Sequence, residues 1–278
     1  MAFKDLLVHL NSSKHCGTRV DLALGLAQRF DAHLTGVYTT PEFYIPTYIA
    51  AELPADILNA QRSLLEKGRD KAKAEFSEQM RKAAIKGEWR ALEGTPGEMV
   101  SMSARYSDLV IVGQNDPDEV LPSVEADVPE NVIMGSGRPT LVVPYAGKFP
   151  TVGERVLIAW NARPEACRAV NDAVPLMAGA KKVTVLVINP VSGTRGHGHI
   201  PGADIALHLA RHGIKAEASE VHVEDIAVGD MILSRAADAS ADLIVMGAYG
   251  HTRLRELILG GATRALLNSM TVPVLMSH

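Results

Sequence analysis

Ala241-Asp242-Leu243-Ile244-Val245-Met246-Gly247 is an apolar run that opens on an aspartate and stops at a glycine. Apolar at successive positions, it fits a strand covered on both faces rather than one that alternates between core and solvent. Ser107-Asp108-Leu109-Val110-Ile111-Val112-Gly113 repeats it in the first half of the chain. Pro139-Thr140-Leu141-Val142-Val143 stands to Asp108 as Pro273-Val274-Leu275-Met276 stands to Asp242. The halves also open alike, with Leu6-Leu7-Val8-His9-Leu10-Asn11 against Val156-Leu157-Ile158-Ala159-Trp160-Asn161. One domain is therefore present twice, at residues 1–146 and 154–278. Residues 147–153 join the copies, and Gly147, Pro150 and Gly153 give this stretch linker chemistry.

Within each copy short apolar runs alternate with helical periodicity. The first copy predicts strands at Asp5–Leu10, His33–Tyr38, Trp89–Glu93, Leu109–Gly113 and Thr140–Pro144. Helices are expected at Gly17–Phe30, Pro54–Lys86 and Gly97–Ala104, with a short one near Glu130. The second copy predicts strands at Arg155–Trp160, Val183–Ile188, Lys215–His222, Leu243–Gly247 and Val274–Met276, and helices at Pro164–Ala178, Gly202–His212, Val228–Ala239 and Thr252–Asn268. Fully apolar strands alternating with helices imply parallel pairing, and right-handed crossovers then give an α/β fold. Each copy is a doubly wound, five-stranded parallel open sheet with helices on both faces. Ligands of such sheets sit beyond the carboxyl ends of the strands. Asn161, Ile188 and Gly247 fall at such ends and are expected to converge on one crevice.

The run at Gly247 continues as Ala248-Tyr249-Gly250-His251, and a second glycine pair follows at Gly260-Gly261. Glycines let a backbone approach a ligand closely, and a helix starting there adds the positive end of its dipole. The spacing G-x-x-G-x9-G thus has the chemistry of a phosphate cradle, although a tight turn with close helix packing uses the same glycines. Composition sets the bounds. The chain has 278 residues, 47% apolar and 22% charged, and a net charge of −4, which speaks against nucleic acid as a partner. Two cysteines, Cys16 and Cys167, in no metal-binding spacing, suit a reducing compartment. With neither a signal-peptide pattern nor an apolar stretch near 20 residues, a cytoplasmic protein without membrane attachment is expected.

On these residues the chain resembles the universal stress protein family in its tandem form. The resemblance rests on Met246-Gly247-Ala248-Tyr249-Gly250, on Gly260 at the family spacing and on the turn at Asn161. It implies a stress-response sensor or regulator that binds ATP with Mg2+, or a related adenine nucleotide, in the second domain. The phosphates and ribose would be wrapped by Met246, Gly247, Gly250, Gly260, Gly261, Ala262 and Thr263. Asn161 would meet the base or ribose, and the main chain at Val187 would hold adenine. Two positions depart from the family pattern. Asn161 replaces an aspartate, and Gly261 replaces a serine or threonine, leaving Thr263 as the nearby hydroxyl.

The first copy serves as an internal control. Its counterparts of Gly250, Gly260 and Gly261 are Asp116, Ala126 and Asp127, and only Gly113 matches Gly247. Asp116, Asp118, Glu119, Glu125, Asp127 and Glu130 stand there with no basic residue, and Pro117, Pro122 and Pro129 remove N–H donors. The second copy carries Arg253, Arg255 and Arg264 against Glu256. The first copy therefore reads as a degenerate nucleotide site.

Two further readings stay open. One is a scaffold without nucleotide that acts by domain pairing or homodimerisation, to which the apolar stretch Tyr38–Pro54 would contribute a contact. The other is a zinc protein using His197, His199, His208 and His212, although the Gly193–His199 segment equally suits a mobile lid. The primary reading assigns no metal ligand. No nucleophile–base arrangement or P-loop lysine is present, so weak ATP hydrolysis is the most that is expected of it as an enzyme.

Overall fold

The protein is described here by a computed structural model covering residues 2–40, 55–119, 127–190, 200–249 and 261–278. Contacts divide the chain into two compact units. One is built from Phe3–Ile111 and Asp118–Ser136, the other chiefly from Val112–Pro117 and Gly137–His278. Among the described residues no helix is long and apolar enough to cross a membrane. The apolar stretch before Pro54 lies largely outside the described residues.

The first unit runs β1 (Asp5–Leu10), α1 (Cys16–Phe30), β2 (His33–Thr40), α2 (Ala55–Ala83), β3 (Gly87–Glu93), α3 (Pro96–Ala104), β4 (Leu109–Gly113, entering the second unit at Val112) and α4 (Val128–Gly135). Its strands lie in the order β3-β2-β1-β4, all parallel. Residues Leu109 to Val112 are wholly buried, as covering both faces of the sheet demands. On α1, Val20, Ala23, Leu24 and Ala27 are buried at helical spacing. The helix stops where Asp31 turns left-handed, at φ 47°. The long α2 buries Phe76 and Met80, one turn apart, and carries exposed ion pairs such as Lys71–Glu75 along its solvated side.

In the second unit β5 (Thr140–Val143) is followed by β6 (Arg155–Ala159), α5 (Pro164–Met177), β7 (Lys182–Ile188), α6 (Ala203–Arg211), β8 (Ala216–Val221), α7 (Val228–Asp238), β9 (Leu243–Gly247), α8 (Gly261–Ser269) and β10 (Val274–Ser277). The strand order is β5-β10-β9-β6-β7-β8, and every pair from β10 to β8 is parallel. The chain leaves β6 for β7 on one side and returns through β9 on the other. The direction of winding thus switches between β6 and β9, the place where an open sheet leaves a crevice.

The expected α/β fold is present in two copies, and the repeat extends to side chains. The carboxylate of Asp108 accepts from the N–H groups of Lys4 and Asp5, at 2.6 and 3.0 Å. Asp242 does the same for Gly153, Glu154 and Arg155, at 3.1, 3.1 and 2.9 Å. In each copy an aspartate ahead of the fourth strand thus ties down the main chain entering the first. Among the described strands the exception to parallel pairing is β5, which pairs antiparallel with β10. The pairing sets Leu141 opposite Leu275, its own counterpart in the repeat.

Candidate functional site

Leu186, Ala159 and Met246 stand in register across β7, β6 and β9. The next residues, Val187, Trp160 and Gly247, therefore form one row at the carboxyl edge. Three of the sequence-predicted groups, at Asn161, Val187 and Met246–Gly247, are brought together in this way. Met246 and Val187 are buried, whereas Asn161 is exposed just past its strand.

Gly247 is fixed by its surroundings. A Cβ placed there would lie 2.4 Å from Ala166 N and 2.6 Å from the Glu165 carbonyl carbon, so only glycine lets the first turn of α5 rest on the strand end. The chain then passes Ala248, whose N–H donates to the Ser277 carbonyl at 2.9 Å. Tyr249 follows in the left-handed region, at φ 58°. Its N–H points to Thr263 Oγ1 at 3.5 Å, which ties the strand end to the first turn of α8. Thr263 is 3% exposed, and Ala262 packs its main chain toward Gly229 of α7. Gly261, by contrast, opens α8 with no atom of the described residues within 4 Å of where its Cβ would stand. The segment Gly247–Tyr249 thus meets the first turns of two helices, whose leading N–H groups and dipoles favour an anion. Gly250 and Gly260 lie outside the described residues.

Asn161 Oδ1 accepts from Arg163 N at 3.1 Å and so shapes the turn into α5. This leaves the side-chain NH2 as the group to present to a ligand. Val187 pairs in register with Glu220 of β8, and its side chain packs against Gly202, which enters α6 at φ 81°.

Sequence reasoning missed two residues of this edge. Glu165, in the first turn of α5, buries Oε2 with no hydrogen-bond partner among the described residues. The sequence offers Glu256, outside the described residues, as the nearby acid. Glu165 reads there only as a helix-starting carboxylate, because its nearness to Gly247 depends on how α5 crosses β9. His278 donates from Nδ1 to the Ala248 carbonyl at 3.1 Å, and its ring meets Tyr249 edge-on at 6.4 Å. It arrives there because β10 pairs Ser277 with Gly247. Below it, Ser277 donates to Asp172 at 2.8 Å, and burial pushes the Asp172 carboxyl above its ordinary range.

The first copy has a differently filled edge. Asn11, the counterpart of Asn161, accepts from Ser13 N at 3.3 Å, the same turn, and from Arg19 Nη2 at 2.9 Å. The loop ahead of α1 is closed by a carboxylate of its own chain. Glu119 accepts from Ser13 Oγ at 2.6 Å and from Lys14 N at 3.0 Å. A polar cavity of about 110 Å3, lined among others by Asp5, His33, Thr35 and Glu88, lies toward the opposite end of these strands. Of the histidines proposed for zinc, His197 and His199 lie outside the described residues. His208 lies in the last turn of α6 and His212 caps that helix.

Comparison with known proteins bears on this arrangement. Residues 154–278 match the model of the universal stress protein family. The universal stress protein Slr1230 of Synechocystis is 28% identical over 149 residues, covering 52% of this chain and 49% of that protein. The chain thus spans about half the length of this curated relative. A universal stress protein from Archaeoglobus fulgidus shares the fold over 98% of this chain and 96% of its own, with a TM-score of 0.78 at 14% identity. A Pseudomonas aeruginosa protein described as a putative universal stress protein does so over 99% and 93%, with a TM-score of 0.62 at 14% identity. Residues 154–278 thus match the domain of the universal stress protein family, and the fold shared with these solved structures extends over both halves of the chain.

Proposed function

We propose that residues 154–278 bind ATP, or a related adenine nucleotide, and that the protein acts through this site as a sensor or regulator in a stress response. The observation that supports it most is the strand end Gly247–Tyr249 held between the first turns of α5 and α8. Phosphates would lie along Gly247 and Gly261 with Gly250 and Gly260, Asn161 would present its amide to ribose or base, and the main chain at Val187 would face adenine. Glu165 is the acid on hand to hold Mg2+, which would neutralise phosphate charge there. In residues 1–146 the corresponding loop is satisfied by Glu119, which supports reading that copy as closed to nucleotide.

Calorimetric titration with ATP and Mg2+ tests this reading. One nucleotide is expected per chain. Gly261→Asp, which copies Asp127 of the first half, should weaken it at least tenfold without loss of melting temperature. Among the described residues nothing crowds a side chain at Gly261, and an acid is at home at a helix start. Gly261→Ser should tighten binding by adding a hydroxyl donor. Absence of binding in the wild-type protein would leave the scaffold reading, which the β5·β10 pairing of equivalent strands favours.

A further inference from the structure

The last turn of α6 carries His208, and His212 caps the helix directly after it. His208 and His212 are one turn apart, the spacing that brings side chains together along a helix. Their ring centroids are 4.8 Å apart and the planes are tilted by 56°. Asn171 of α5 reaches across to this pair, with Oδ1 at 3.2 Å from His208 Nε2. The same amide donates from Nδ2 to the Cys167 carbonyl at 2.8 Å, which fixes the end of the amide that faces the imidazole. A carbonyl oxygen only accepts, so Nε2 of His208 carries the ring proton and Nδ1 holds the lone pair. A metal-binding imidazole is prepared in this way, its second nitrogen donating to an oxygen that fixes tautomer and ring direction.

We propose that His208 Nδ1 and the His212 ring form a binding site for an imidazole-preferring divalent cation such as Cu2+ or Zn2+. Asn171 is a positioning residue for this site, not a ligand. His212 is exposed and His208 half-buried, so water completes the coordination. Two imidazoles select against Mg2+ and Ca2+, which take oxygen ligands. The site joins α5 and α6 through the Asn171–His208 contact and does not depend on nucleotide binding.

Titration of the full-length, tag-free, chelator-stripped protein with Cu2+ and, separately, Zn2+ tests the proposal. One cation per chain is expected, with Cu2+ held more tightly than Zn2+ and excess Mg2+ without effect. His208→Ala and His212→Ala should each weaken binding at least tenfold, with circular dichroism confirming an intact fold. Asn171→Ala should weaken it several-fold, whereas Asn171→Asp, which keeps an acceptor oxygen, should restore it. The double variant His197→Ala, His199→Ala should bind like wild type. No binding by the wild-type protein, undiminished binding by His208→Ala, or loss of binding in the His197/His199 variant would each overturn the proposal.

Discussion

His9, on β1, is 2% exposed, shares a hydrogen bond of 3.3 Å with Thr39 Oγ1, and has the Arg19 guanidinium donating to its carbonyl at 2.7 Å. Burial first, and then the Arg19 charge, hold its pKa well below the ordinary histidine value. In the unfolded chain the ring takes a proton near pH 6.5, whereas the folded protein keeps it neutral. Its stabilising contribution is therefore complete above about pH 6.5 and is lost as the pH falls from there toward the folded value, by about 1.4 kcal/mol per pH unit. His9→Gln keeps a polar partner for Thr39 and should flatten this limb. Urea midpoints of both proteins between pH 7.5 and 5.5 check it, and parallel profiles would refute it. The residue scale also shows where sequence reading stops. Gly247 and Asn161 are visible as a strand-ending glycine and a turn-forming amide. Glu165 and His278 are not, since each meets the Gly247–Tyr249 segment through an element far from that segment in sequence.

At the scale of elements, α7 and α8 approach closely because neither carries bulk at their contact. A Cβ on Gly229 would come within 2.5 Å of Ala265 Cβ, while its next neighbours, Ala262 O and Cα, stand at 3.3 and 3.4 Å. Gly229→Ala should therefore destabilise the protein by about 1–3 kcal/mol through overpacking. Combining it with Ala265→Gly removes the atom in the way. Denaturant unfolding should then give a double-mutant coupling of at least about 0.5 kcal/mol, and additive effects would refute the contact. Elements of this kind were readable from periodicity. β1, β4, β6 and β9 begin where predicted because buried parallel strands are apolar without interruption. β3 starts two residues earlier than expected, at Gly87, because among the described strands it borders β2 alone, leaving its exposed residues a mixed pattern. The helix expected at Thr252–Asn268 is described from Gly261.

At the scale of the whole molecule, β5 lies against β10, and the Leu141–Leu275 register pairs one position of the repeat with itself. An isolated second half, residues 147–278, would lack β5 and present β10 as an open edge able to pair with a second copy of itself. Sedimentation should show this fragment as a concentration-dependent dimer, and a monomer at all concentrations would refute the expectation. Sequence alone determined the repeat, the α/β class, the strands whose carboxyl ends form the candidate site and the asymmetry of charge between the two copies. These follow from local pattern: burial on two faces selects apolar runs, and turns select glycine. Tertiary structure decided that Glu119 closes the first copy's loop, that Glu165 and His278 stand at the second copy's strand end, and that Asn171 fixes the His208 tautomer. Each is a contact between elements brought together by packing, and packing leaves no periodic mark on the residues that meet.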